Sequence, residues 1–107
     1  MKKHLKIFIE GNLEAADFNY YCQTTAYKYG INAVYKNGDT RHVYLEAEGN
    51  DEELKSFAEE LKDGPLKRYT EIFRTEDGEL KDIKGFTSLR DKKQKKKILN
   101  KFKNLLS

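Results

Sequence analysis

Hydrophobic and polar residues alternate along the beginning of the chain. Leu5, Ile7 and Ile9 share one side, and more polar residues share the other, which is typical of a strand with one buried face over residues 4–10. From about residue 15 to residue 29 the period lengthens, and one helical face collects Phe18, Cys22, Thr25, Ala26 and Tyr29. The pattern therefore predicts a strand followed by a helix.

The rest of the chain repeats this order with additional strands. Alternation predicts strands over 32–36 and 41–48, joined by a hairpin turn at Asn37-Gly38-Asp39. A helix follows, which begins at Asn50 and stops at Gly64-Pro65. We expect a fourth strand over about 67–75, a turn at 76–78 and a weaker strand near 80–89.

This order predicts an α+β fold: a ferredoxin-like β-α-β-β-α-β sandwich with an extra strand, with both helices on one face of an antiparallel sheet. Residues 1–90 form this domain. Residues 91–107 are predicted to be a separate basic, amphipathic C-terminal helix, because its apolar residues share one helical face: Ile98, Leu99, Phe102, Leu105 and Leu106.

Composition and charge refine this picture. The chain has 107 residues, enough for one domain with a modest core. The net charge of +3 is uneven: residues 91–107 hold seven lysines and one aspartate, giving +6, so the first ninety residues carry −3. No apolar run is long enough to span a membrane, and the N-terminal apolar segment is too short for a signal peptide. A single cysteine, Cys22, excludes an internal disulfide, and we expect a cytoplasmic protein.

The junction between the first strand and the first helix resembles the phosphate loop of the acylphosphatase family. That family's signature is roughly G-R-V-Q-G-V-G-F-R, followed by a catalytic Asn after the second strand. Gly11, Leu13 and Phe18 match the signature, and Asn37 falls on the catalytic Asn, which orients the attacking water. The resemblance extends from residue 4 to about residue 90. It implies a domain that hydrolyses acyl phosphates without a metal or cofactor.

The same junction departs from the signature where phosphate would bind. The Arg that grips phosphate is Asn19, the other Arg is Asn12, the Gln is Glu14, and the inner glycines are Ala15 and Asp17. Asn lacks the permanent charge and planar fork of Arg, and the carboxylates lie where a dianion should dock. We therefore interpret the segment as a former phosphate loop and regard Asn19 and Asn37 as degenerate catalytic positions. The loop comprises Gly11, Asn12, Leu13, Glu14, Ala15, Ala16, Asp17, Phe18 and Asn19.

Other polar residues have simpler interpretations. Asp17 is expected to cap the first helix. A stronger form of this hypothesis is that its carboxylate occupies the anion site of the chain itself. Lys36 and Arg41 flank the Asn37 turn and are the cations that could substitute for the missing Arg. His4 and His42 lack partners at metal-ligand spacing and are expected on the surface, so no metal site is predicted, and Cys22 is expected in the core.

A candidate binding face lies on the side of the sheet away from the helices. Phe8, Tyr44, Tyr69 and Phe73 are predicted to point there, and exposed aromatics on such sheets can stack unpaired bases. The tail adds a basic patch suited to nucleic acid or an anionic surface: Lys92, Lys93, Lys95, Lys96 and Lys97. Alternatively, the apolar stripe of the tail folds across this face, contacts a partner or second copy, or stays mobile.

Three functions remain open from the sequence. The first is a catalytically inactive acylphosphatase-like domain that acts as a binding or regulatory module for an unknown protein partner. The second is an acylphosphatase with a degenerate site. The third is a nucleic-acid-binding module that uses the sheet aromatics and the lysine tail. No cofactor is expected, and the chain is predicted to be a monomer or homodimer.

Overall fold

The structure, a computed structural model, describes residues 1–13 and 17–89. The predicted tail helix over 91–107 and loop residues 14–16 lie outside this description. The strands are β1 (Lys2–Gly11), β2 (Asn32–Asn37), β3 (His42–Asn50), β4 (Thr70–Gly78) and β5 (Phe86–Leu89). The helices are α1 (Phe18–Tyr29) and α2 (Asp51–Asp63), and a short 3-10 helix over Lys67–Tyr69 precedes β4.

Five strands form one sheet in the order β4-β1-β3-β2-β5. The first three neighbouring pairs are antiparallel, and β5 runs parallel to β2. Both helices pack on one face, where Ile7, Ile9 and Leu45 meet Phe18 and Phe57 in the core. We call this the inner face and the opposite one the outer face. The predicted α+β ferredoxin-like sandwich with an extra strand is confirmed, but the sheet is mixed rather than antiparallel, because the segment between β4 and β5 returns the chain so that β5 runs parallel to β2.

Each helix follows from its sequence pattern. In α1 the buried residues are Phe18, Cys22, Thr25 and Ala26, and Gly30 ends the helix in the left-handed conformation with φ 66°. In α2 three acidic residues occupy the first turn, where the helix dipole favours negative charge, although Asn50 makes no side-chain capping bond. The predicted positions of both helices hold, except that α1 begins at residue 18 rather than 15.

The predicted bounds of the last two strands are wrong. The chain does not turn at 76–78, because β4 continues to Gly78, and Asp77 and Gly78 pair with Leu5 and His4 of β1. The reason is that β4 follows β1 as far as His4, so residues with the composition of a turn are held in the sheet by backbone pairing. The strand predicted near 80–89 is reduced to β5.

Residues 79–85 link the two edge strands, and we call them the crossover. Because β4 and β5 lie at opposite edges, the crossover passes over the outer face. The Glu48 carboxylate on that face accepts hydrogen bonds from the backbone N–H groups of Lys81, at 2.6 Å, and Ile83, at 2.8 Å. The Lys81 ammonium bonds Glu46 at 2.8 Å. Buried carboxylates on β3 thus fix the path of the crossover.

The prediction that His4 is a surface residue is wrong. Its side chain is buried, with Nδ1 2.7 Å from Glu48 and Nε2 3.1 Å from Glu46. His4 does lie on the outer face, opposite Glu48 in the sheet register, but the neighbouring crossover removes that end from solvent. His42 is partly exposed and contacts Asp39 at 2.9 Å and Glu10 at 3.5 Å.

We expect the buried carboxylates to make folding acid-sensitive. Burial raises the pKa of Glu46, but the Lys81 hydrogen bond and the Lys36 charge outweigh it and lower the pKa to about 2. In an unfolded chain a Glu titrates near about pH 4.3. Since the folded pKa is depressed, this stability is complete above about pH 5 and is lost as the pH falls towards 2.

Urea unfolding of Glu46→Gln, followed from pH 7 to pH 2, measures this effect. The variant should show a flatter fall in the free energy of unfolding between pH 5 and pH 2 than the unmodified chain. Glu59→Gln, which removes an exposed carboxylate from α2, is the matched control and should keep the original slope. An unchanged slope in Glu46→Gln would contradict this account of Glu46.

Candidate functional site

The candidate loop begins where β1 ends against two other backbone segments. The Gly11 N–H donates to the Arg41 carbonyl at 3.0 Å, and the Asn12 N–H donates to the Tyr69 carbonyl at 2.9 Å. A Cβ on Gly11 would collide with the Tyr69 carbonyl oxygen. Gly11 is therefore needed for close backbone approach, and these two N–H groups are already bonded within the protein.

Asp17 caps helix α1, as predicted. Its Oδ1 accepts a hydrogen bond from the Tyr20 N–H at 3.3 Å, and its side chain is exposed to solvent. The N-terminus of a helix offers free N–H groups and a positive dipole end to an anion. In this chain one of these donors, the Tyr20 N–H, is already bonded to the Asp17 carboxylate.

Asn19 is tied to the opposite edge of the domain. The Ser88 hydroxyl on β5 donates to Asn19 Oδ1 at 2.8 Å. The residue at the position of the family's phosphate-gripping Arg is therefore neutral, and its side-chain oxygen is engaged by β5. It fixes the start of α1 against the sheet and supplies no positive charge.

Asn37 closes β2, where it pairs with Val43 of β3. The turn that follows is held by Gly38, whose N–H donates to the His42 carbonyl at 3.0 Å, and by Asp39, which accepts from the Arg41 N–H at 2.7 Å. Burial works against ionisation of Asp39, but this hydrogen bond and the His42 contact lower its pKa. The predicted hairpin is confirmed at this position.

The two cations considered as substitutes for the missing Arg, Lys36 and Arg41, are each paired with a carboxylate. The Arg41 guanidinium pairs with Glu71 on β4. The Lys36 ammonium lies on the outer face, 3.3 Å from Glu46 and 5.2 Å from the centre of the Tyr44 ring. The loop leads into α1 on the inner face, so Lys36 lies on the other side of the sheet. Lys36 is therefore not positioned to replace the missing Arg, whereas Arg41 borders the loop, with its carbonyl bonded to the Gly11 N–H and its guanidinium paired with Glu71.

Cys22 lies in the core and is fully buried, as predicted. Burial raises the pKa of its thiol, because an apolar environment disfavours the thiolate. A buried neutral thiol is a poor nucleophile, so Cys22 adds no chemistry to the loop.

The predicted aromatic binding face is wrong as a single exposed surface. Phe8 and Tyr44 do share the outer face and pair with ring centres 4.8 Å apart, but they are only 4% and 2% exposed. Phe73 lies opposite Ile9 and therefore points to the inner face, and Tyr69 packs against the core from the 3-10 helix. The predicted partner lysines, 92, 93, 95, 96 and 97, lie outside the described residues.

Sequence reasoning missed the cluster of His4, Glu46, Glu48 and Lys81. Its only signal was a pair of acids at alternate positions of β3, a pattern that also fits an ordinary solvated face. Within residues 1–13 and 17–89, no group of three or more His, Cys, Asp or Glu side chains is arranged to hold a metal ion. In the same part of the chain, no helix is long and apolar enough to cross a membrane.

The fold and the strand-to-helix loop define a class: small ferredoxin-like domains whose first loop leads into a helix N-terminus. A family model described as acylphosphatase matches residues 5–88. An acylphosphatase from Oceanobacillus iheyensis is 30% identical over 87 residues, which are 81% of this chain and 91% of the relative. The chain belongs to the acylphosphatase family.

Solved structures agree with this assignment. The crystal structure of acylphosphatase from Bacillus subtilis has a TM-score of 0.74 and 25% identity, and the match covers 84% of this chain and all of that one. Full-length HypF has a TM-score of 0.76 at 22% identity, and the match covers 84% of this chain but 12% of HypF. The HypF likeness shows the fold alone.

Gly11→Ala tests the packing role of the loop glycine. The added methyl group meets the Tyr69 carbonyl, so the free energy of unfolding should fall by about 1–3 kcal/mol, as overpacking does. The neighbouring exposed residue provides the control, since Asn12→Ala should change stability by less than about 0.5 kcal/mol. Urea unfolding checks both, and an undiminished stability in Gly11→Ala would refute the packing role.

Proposed function

We propose that this chain is an acylphosphatase-family domain that has lost hydrolysis of acyl phosphates and acts as a binding or regulatory module for another protein. The observation that carries the proposal is the Asp17 carboxylate, which accepts the Tyr20 N–H at the start of α1. In the resemblance drawn from the sequence, this is the place of the phosphate. The chain keeps the junction between a strand and a helix N-terminus, and at this junction it carries a carboxylate in place of a glycine of the family signature.

Electrostatics supports loss of hydrolysis. A unit negative charge about 4 Å from another costs about 4 kcal/mol at an effective dielectric constant near 20. That penalty is about three decades of affinity, since a decade corresponds to about 1.4 kcal/mol. Preorganised positive charge is usually the largest catalytic contribution, and Asn19 supplies none. The Arg41 guanidinium is paired with Glu71, and the Lys36 ammonium lies on the outer face beside Glu46.

A second candidate function is hydrolysis of acyl phosphates at a degenerate site. The observation that favours it is the naming of the relatives: the Oceanobacillus iheyensis protein at 30% identity and a Bacillus subtilis protein at 34% are both acylphosphatases. Asn37, at the position that would orient water, is retained. On this alternative the loop must bind phosphate through backbone N–H groups without the Arg.

The third function inferred from the sequence is nucleic-acid binding, and the structure does not provide the exposed sheet aromatics on which part of it depended. Stacking of bases on the sheet requires exposed aromatic rings, and both Phe8 and Tyr44 are buried. A nucleic-acid role would therefore rest on the lysines of residues 91–107 alone. Such contacts bind phosphate backbones without reading sequence and weaken steeply with salt.

Hydrolysis of a small acyl phosphate separates the first two functions. We expect the rate of hydrolysis with the unmodified chain to equal the uncatalysed rate, and the rate with Asn37→Ala to be the same. The double substitution Asp17→Gly with Asn19→Arg removes a negative charge and restores the guanidinium that binds phosphate. It should therefore produce hydrolysis of the acyl phosphate, and adding Asn37→Ala should abolish that hydrolysis.

A charge-matched control excludes a general effect of added positive charge. Glu52→Gln with Thr24→Arg makes the same net change at exposed helix positions and should leave the rate at background. Turnover by the unmodified chain that disappears in Asn37→Ala would overturn the proposal and establish the second function.

A further inference from the structure

The outer face carries a row of side chains that crosses all five strands. Sheet register places Leu89 beside Lys36, Lys36 beside Tyr44, Tyr44 beside Phe8, and Phe8 beside Arg74. Directly paired residues point to the same side of a sheet, so this row has two large aromatic rings at its centre and a cation on each side of them. We call it the aromatic row.

The two rings of the aromatic row are buried at a distance from the backbone of the crossover. The backbone contacts of the crossover lie at the His4 end of β1, and His4 and Phe8 are four residues apart, which is about 13 Å along a strand. The nearest side-chain contact of the crossover is that of Lys81 with Glu46, which is two residues from Tyr44 on β3. Lys36 lies beside the Tyr44 ring, 5.2 Å from its centre. Rings on a bare sheet face would be substantially exposed, whereas Phe8 and Tyr44 are 4% and 2% exposed. A further layer of chain is needed to account for this.

Residues 91–107 have the position and the length to supply that layer. The described chain ends at Leu89, which is itself a member of the aromatic row. Five strands span about 19 Å between the outer strand axes. The stripe segment over 98–106 would be about 13 Å long as a helix, enough to cross three strands, and residues 90–97 give it ample connecting length.

We propose that the apolar stripe of residues 98–106 packs intramolecularly across Phe8 and Tyr44 and forms the outer layer of the domain. An amphipathic helix of this length is marginal alone and gains its stability from an apolar surface to cover. The docked stripe consists of Ile98, Leu99, Phe102, Leu105 and Leu106. The lysines of the segment then face solvent.

Charge complementarity favours docking on this domain. The tail carries +6 and the first ninety residues carry −3, so the two parts attract each other. Glu10 and Glu76 belong to the sheet rows that flank the aromatic row, two residues before or after it along their strands. Glu76 is exposed and Glu10 is partly exposed beside His42, so both place negative charge next to the aromatic row, where it attracts the lysines that border the stripe. The inference does not depend on whether the domain hydrolyses acyl phosphates.

A groove beside α2 is the competing site on this domain. Its volume is about 360 Å³, its apolar floor includes Leu5, Leu54 and Phe73, and its rim carries both lysines and acids. It lies on the inner side of the sheet, whereas the chain ends at a residue of the aromatic row. The aromatic row therefore fits the tail better, and the test below distinguishes the two sites.

Thiol reactivity in the full chain tests the docking. The native Cys22 is fully buried, so a maleimide reports an introduced cysteine. We compare Leu105→Cys, on the stripe, with Asn104→Cys, which a helix places on the opposite side. Docking for about nine-tenths of the time should slow the stripe thiol about tenfold relative to the control. Equal rates would overturn the proposal.

Two aromatic substitutions locate the docking surface. Phe8→Ala combined with Leu105→Cys should restore fast labelling, while Phe73→Ala, the same change on the inner face beside the groove, should not. The reverse result would place the tail in the groove and refute the aromatic row. Protection that falls on dilution, together with a dimer mass in sedimentation, would show a second copy as the occupant and also refute the proposal.

The unmodified chain provides a measurement that needs no destabilising variant. Nuclear Overhauser contacts between the Phe102 ring and the rings of Phe8 or Tyr44 are expected at low protein concentration. Their absence, with Phe102 assigned and its neighbours identified elsewhere, would contradict the inference even if Phe8→Ala failed to fold.

Discussion

A buried carboxylate, that of Glu48, sets the architecture of the outer face. It accepts two backbone N–H groups of the crossover and contacts the His4 ring, so three elements distant in sequence meet at one side chain. A buried charge is tolerated only with such complete pairing, and removal of any partner leaves the others uncompensated. The path from β4 to β5 across the sheet depends on this arrangement, because the crossover makes no helix or strand of its own.

The same principle explains the loop. A helix N-terminus presents donors that need an acceptor, and that acceptor can be a bound anion or a side chain. In this chain the Asp17 side chain accepts one of these donors, the Tyr20 N–H, while the Arg41 and Tyr69 carbonyls accept the Gly11 and Asn12 N–H groups. The family fold is retained although the loop departs from the family signature, since Leu13 and Phe18, the loop residues that reach the core, are still apolar.

The sequence predicted local features and failed where distant segments meet. Helical spacing gave the buried face of α1, and residue preference gave the Asp17 cap, because both depend on neighbours within one or two turns. Alternation placed Phe8 and Tyr44 on the outer face correctly but did not indicate that their rings are buried. His4 was expected at the surface, because the crossover that lies beside it is far away in sequence. Phe73 was assigned to the wrong face because the start of β4, and hence its register with β1, is set by the 3-10 helix before it.

The central claim is that the junction between β1 and α1 no longer accepts a phosphate. The ¹⁵N-labelled full chain is titrated with inorganic phosphate, and a titration with chloride at equal ionic strength, free of sulfate, is the control. The chemical shifts of the amides of Phe18, Asn19 and Tyr20 report phosphate binding at the junction. The account predicts no saturable shift at about 1 mM phosphate, where a binding free energy of about 4 kcal/mol would half-fill the site. Saturable shifts confined to these amides, lost on Asn19→Asp, would contradict it.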